Sequence, residues 1–156
     1  MKTFKQHIFE KLKMSKPAYT LFPETRDELK HMIEDEIYKN GNKCSLNHID
    51  VSKITDMSYL FEFDGISSSM NHFNGDISNW DVSNVTDMRR MFRNSDFTGK
   101  NSDLSNWDVS NVTDMSNMFE KCSLHGELGI STWDVSNVEN LSYMFQTAGR
   151  DASSDK

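Results

Sequence analysis

Between residues 46 and 145 the apolar positions recur in one fixed pattern. In residues 103–119, DLSNWDVSNVTDMSNMF, they are Leu104, Trp107, Val109, Val112, Met115, Met118 and Phe119. The same pattern runs through residues 76–92, DISNWDVSNVTDMRRMF, and 129–145, GISTWDVSNVENLSYMF, with a degenerate copy at 46–61, LNHIDVSKITDMSYLF. Val51, Val82, Val109 and Val135 are spaced by 31, 27 and 26 residues, the first step lengthened by an insert around residues 65–70. A period of this size marks a repeat architecture.

Each copy divides in two. The alternation from Trp107 to Val109 predicts a very short strand. Met115, Met118 and Phe119 follow i, i+3, i+4 spacing, which predicts one or two helical turns, with Thr113 as N-cap and Asp114 near the positive helix end. The expected fold is therefore an α/β repeat solenoid. It would be a leucine-rich-repeat-like stack of about four short strand–helix units behind an N-terminal helical cap. Burying one large apolar side chain contributes ~1.5–3 kcal/mol, while ordering one residue costs about 1–2 kcal/mol. One copy has too few inward residues to fold alone, so copies must stack. Stacking predicts columns: Ile49, Trp80, Trp107, Trp133; Val51, Val82, Val109, Val135; Ile54, Val85, Val112, Val138; and Phe61, Phe92, Phe119, Phe145. Met57, Met88, Met91, Met115, Met118 and Met144 read as core, because Leu60 and Leu141 fill equivalent slots in other copies.

The flanks set the expected boundaries. Residues 24–44 form the helical cap: Thr25 and Glu28 make a capping box, Leu29, Met32, Ile33 and Ile37 form an apolar stripe, and Asn40-Gly41 ends a helix expected over 25–39. Residues 45–148 are the repeats. Residues 17–23, between Pro17 and Pro23, read as a linker, and 149–156 as a polar, disordered tail. Residues 1–16 form a basic amphipathic segment with Phe4, Ile8 and Leu12 on one helical face. The last copy lacks an evident cap. It and residues 1–16 are the two expected docking elements for another chain.

Charge narrows the partners. Residues 1–16 carry a net +4 within a chain of net −7, so the body is strongly acidic. That disfavours nucleic acid, whose phosphates need Lys and Arg. Cys44 and Cys122 give no disulfide framework or zinc spacing. The five histidines, His7, His31, His48, His72 and His125, show no metal spacing, and no nucleotide loop, GxSxG or HExxH occurs. No cofactor, metal site or catalytic residue is expected, and every carboxylate candidate recurs in each copy as architecture does. There is no ~20-residue apolar run and no secretory signal. A cytoplasmic or virion-associated location is thus favoured over secretion.

The WDVSNVTDMSNMF unit closely resembles the repeats of BspA-like leucine-rich-repeat surface proteins, including mycoplasma-type repeats of unknown function. The start at residues 1–13 resembles, more vaguely, proteins of gut bacteria and their tailed phages. The resemblance implies a non-catalytic surface for adhesion or protein–protein binding, with the residues flanking the strand on a concave, partner-facing side. Those residues are Asp50, Ser52, Asn79, Asp81, Ser83, Asn106, Asp108, Ser110, Thr132, Asp134 and Ser136. Stacked aspartates ~5 Å apart repel by roughly 0.5–1 kcal/mol per pair in water-like surroundings. Hydrogen bonds to neighbouring Ser, Asn or backbone, a basic partner, or, less favoured, calcium would offset this. The expected function is a protein–protein interaction module with an unidentified protein partner. The alternatives are a structural or packaged phage or bacterial component, or a glycan-binding module.

Overall fold

The computed structural model describes residues 3–6, 18–66 and 68–149. Of the expected basic amphipathic segment, residues 1–16, only 3–6 are described, and of the expected disordered tail, 149–156, only Gly149; the rest of both lies outside the described residues.

The capping box forms as its sequence predicts. Thr25 Oγ1 accepts from the Glu28 amide at 3.2 Å, and Glu28 returns a bond to the Thr25 amide. Helix α1 follows over Arg26–Asn40, ended by Gly41 at φ 85°. Leu29, Ile33 and Ile37 on one side of α1 are buried against the first repeat.

The repeats do stack, but not as strand–helix units. Among the described residues there is no strand. The copies meet through isolated parallel bridges, Asp56 to Asp87, Asp87 to Asp114 and Asp114 to Asn140. The helices expected around Met57–Phe61, Met88–Phe92, Met115–Phe119 and Leu141–Phe145 are also absent, and Thr113 caps nothing. These stretches are overlapping turns, with Leu60 N donating to Met57 O and Glu62 N to Tyr59 O. The cause is a repeated left-handed residue: Tyr59, Arg90, Asn117 and Tyr143 have φ of 63°, 55°, 57° and 58°. Such a residue stops the i→i−4 ladder and turns alternate amides outward.

Those outward amides bind the next copy. Met57, Tyr59, Phe61 and Phe63 donate to carbonyls of Asp87, Arg89, Met91 and Arg93, at 2.8–3.1 Å. The same set of four links the second copy to the third and the third to the fourth. Side-chain columns run through the stack as expected. Phe61, Phe92, Phe119 and Phe145 stack at 5.2, 5.5 and 5.5 Å between centroids, and Trp80, Trp107 and Trp133 at 6.5 and 6.2 Å. Each indole is tied to the copy before it: Trp80 Nε1 donates to Leu46 O, Trp107 to Ile77 O and Trp133 to Leu104 O.

Residues 18–22, expected as linker, join the stack. Thr20 N donates to His48 O and Asp50 N to Leu21 O, placing this segment alongside the first copy.

Candidate functional site: the aspartate row and the two ends of the stack

The D-x-S triplet of each copy folds into a side-chain-closed turn, because a short carboxylate reaches its own backbone two residues on. Oδ1 of Asp50, Asp81, Asp108 and Asp134 accepts the amides of Ser52, Ser83, Ser110 and Ser136 at 3.0–3.1 Å. The hydroxyls of Ser83 and Ser110 add bonds of 2.6 Å to Asp81 and Asp108. The hydrogen bonds from Ser136, the side chain first and the backbone next, hold the Asp134 carboxyl below the usual aspartate range. Local hydrogen bonding, one of the expected offsets to the aspartate repulsion, is therefore present in every copy. Asp81, Asp108 and Asp134 also face solvent, which screens their mutual repulsion.

The other expected site residues are less uniform. Asn79 is exposed, its amide bound to Asn47 Oδ1 at 2.9 Å and its own Oδ1 3.5 Å from Lys5 Nζ. Asn106 is half-buried. Thr132 lies in a single 3-10 turn, Ile130–Thr132, its hydroxyl making long bonds to Ser105 O at 3.5 Å and Gly129 O at 3.4 Å. The structure thus brings together the Asp/Ser pairs more than the residues before the Trp slot.

Sequence reading missed the asparagine that follows each serine. Asn84, Asn111 and Asn137 reach back with Nδ2 to the carbonyls of Ser52, Ser83 and Ser110, at 2.7, 2.7 and 2.6 Å. Thr86 and Thr113 likewise donate to Thr55 and Thr86 carbonyls. The available signal was the invariant Asn after D-x-S in three copies, with Lys53 in the first.

The two ends differ. At the first copy the repeat pattern is altered at several positions that face the N-terminal cap, and Ser58, which keeps it, also meets the cap. Lys53 replaces the reaching Asn and pairs with Glu24 at 2.6 Å; His48 stands 3.0 Å from Glu36 of α1; Arg26 of α1 donates to Ser58 O at 3.2 Å. Ile49 stands in the Trp slot, where no earlier carbonyl awaits an indole. The fourth copy keeps the W-D-V-S-N-V stretch and an apolar residue at each apolar step, with Glu139-Asn140 in place of Thr-Asp and Leu141 in place of Met, yet its apolar face is open. Val135, Leu141, Tyr143 and Phe145 are 40%, 47%, 65% and 46% exposed, whereas Val109, Met115 and Phe119 are 0–1% exposed.

Among the described residues no three His, Cys, Asp or Glu side chains are placed to hold a metal ion. Cys122 is buried, and burial pushes its thiol up to about 12; Cys44 is raised by the same cause. Among the described residues no helix is long and apolar enough to cross a membrane.

The class defined by these contacts is a stack of turn-built repeats with one closed and one open end. A family model described as "Mycoplasma protein of unknown function, DUF285" matches residues 27–154, most of the chain, and the chain belongs to that family. No curated protein and no solved structure gives a match.

Proposed function

We propose that this chain is a non-catalytic protein-binding module of the BspA-like repeat type, reading a basic partner through the row Asp81, Asp108 and Asp134. One observation carries this reading. Each carboxylate is fixed by its serine turn through Oδ1, is exposed, and makes no ion pair with any described lysine or arginine. A row of oriented, uncompensated charge suits complementary docking, since it speeds encounter and fixes register more than it adds raw affinity. The Ser83, Ser110 and Ser136 turns make the row rigid, so little ordering cost falls on binding.

The test changes Asp81, Asp108 and Asp134 together to Asn. Asn140 already makes this turn with the Ser142 amide at 3.0 Å, so the fold should survive. Partner recovery from the native host should fall sharply and should be salt-sensitive in the unaltered protein. Undiminished recovery by the triple variant would rule out the row as the binding surface.

A further inference from the structure

We infer that the open end of the fourth copy is a docking site for a repeat-bearing segment of another polypeptide, taken in parallel register as a fifth unit. This does not rest on the aspartate row.

Three observations converge. First, the amides of Leu141, Tyr143, Phe145 and Thr147 correspond to the four that tie each earlier copy to the next. Among the described residues none of them has an acceptor. Second, the carbonyls that would receive the tethers of a following copy lack those tethers: Ile130 O takes only the turn bond from Trp133 N at 3.1 Å, the same turn bond that Leu46, Ile77 and Leu104 O take beside their indole. The indole tether goes to Leu46, Ile77 and Leu104, which makes Ile130 O the next acceptor; the asparagine tether goes to Ser52, Ser83 and Ser110, which makes Ser136 O the next. Third, the apolar steps of this face keep the residue types of an internal copy, where the first copy was altered to meet a cap.

Together these define the occupant's chemistry. It must present a row of backbone carbonyls, an indole, a carboxamide and an aromatic ring at the repeat spacing, which is what a W-D-V-S-N-type unit presents. An unpaired edge of this kind templates addition of a further chain segment. A second copy of this protein is a poor occupant. Approaching by the same end it offers a row of donors to a row of donors, and its other end is covered by α1. The segment at 150–156, RDASSDK, has no large apolar side chain to cover Phe145.

The probe is a synthetic peptide of residues 103–128, with a scrambled peptide as control, added to the full chain. Amide exchange is followed by NMR. Saturable binding should slow exchange at Leu141, Tyr143 and Phe145 by roughly tenfold or more, as new hydrogen bonds with modest opening energies do. The scrambled peptide should not. Phe145→Asp should weaken binding at least about tenfold while the variant keeps a cooperative, if lowered, melting transition, because a charge tolerated at a half-exposed end is not tolerated when buried. The variant with Asn at 81, 108 and 134 should bind the peptide unchanged. Unaltered exchange, equal binding of the scrambled peptide, or loss of binding in the Asn variant would each overturn the proposal. So would a dimer in sedimentation velocity that protects these amides, or faster exchange there once residues 150–156 are removed.

Discussion

Several residues carry backbone or electrostatic costs that the stack tolerates. A left-handed conformation costs a non-glycine residue roughly 1–2 kcal/mol, less for asparagine. Asn94 and Asn117 suit such positions, but Lys121 at φ 53° does not. Lys121 is exposed, and its amide binds Gln146 O. Lys121→Gly should therefore stabilise the protein by about 1 kcal/mol, and Lys121→Val should destabilise it, measured by urea denaturation. A gain from valine would mean the conformation is not left-handed. Asp87 offers a second case. Burial, ahead of the nearby charges of Asp56 and Asp114, raises its carboxyl above the usual range despite bonds from Arg89. A raised folded pKa means that ionising Asp87 costs the fold stability once pH exceeds its unfolded value. Asp87→Asn keeps an acceptor for the Arg89 amide, as Asn140 does for Ser142. It should stabilise by a few tenths of a kcal/mol at neutral pH. That gain should vanish as pH falls below the ordinary aspartate range, where both states are protonated.

At the level of elements, the junctions between copies hold the fold. Arg93 spans three copies: its Nη1 donates to Glu62 at 3.0 Å and its Nε to Glu120 at 2.8 Å. Those carboxylates are only 7% and 9% exposed. Arg93→Ala removes the closest cation from both, leaving Glu120 with Asn117 Nδ2 at 2.7 Å and Glu62 with Arg90 at 3.9 Å, and should cost about 2 kcal/mol. Burial tends to raise the Glu120 carboxyl, but the bonds from Arg93 and Asn117 outweigh it and the net shift is downward. A depressed folded pKa gives stability that is present above the unfolded value and lost as pH falls through the folded one. The Arg93→Ala penalty should thus shrink below about pH 4, checked by denaturation across pH. A penalty independent of pH would remove Glu120 from the account. How far the sequence exposed these elements differs by kind. The capping box of Thr25 and Glu28 and the columns through Val82 and Val109 were readable, because a cap and a buried face each impose a local residue choice. The turns at Met57–Phe61 were not. Spacing of i, i+3, i+4 also fits overlapping turns, and the left-handed Tyr59, Arg90 and Tyr143 carry no glycine to announce them. In the candidate site the Asp81 and Asp108 row was visible as a ladder. Its asparagine tether was not, since hydrogen bonding from Asn84 back to Ser52 O depends on the stacked geometry.

Across the whole molecule, stability should fall from the closed end towards the open one. The units are joined in series, each holding its neighbour, so a unit's stability depends on how many faces it has covered. The second and third copies have two covered faces, the fourth has one, and the first has α1 in place of a preceding copy. The valine column measures this directly, because the same side chain sits at the same turn in each copy. Val82 and Val109 are 1% exposed and Val135 is 40% exposed. Val82→Ala and Val109→Ala remove fully buried methyl groups and should each cost about 2 kcal/mol in global unfolding. Val135→Ala removes methyls already half in water and should cost well under about 1 kcal/mol. Amide exchange should show the same order, with Met144 N opening more readily than its counterpart Met118 N. Those two make the same turn bond, to Leu141 O at 3.2 Å and Met115 O at 3.3 Å, so only the covering of the unit differs. Equal costs at Val109 and Val135 would mean that the last face is already covered, and the open end would lose its standing as a docking site. If the gradient is found, and is abolished at Val135 by the residue 103–128 peptide, then the fourth copy gains from a partner the same second face that the inner copies receive from the chain.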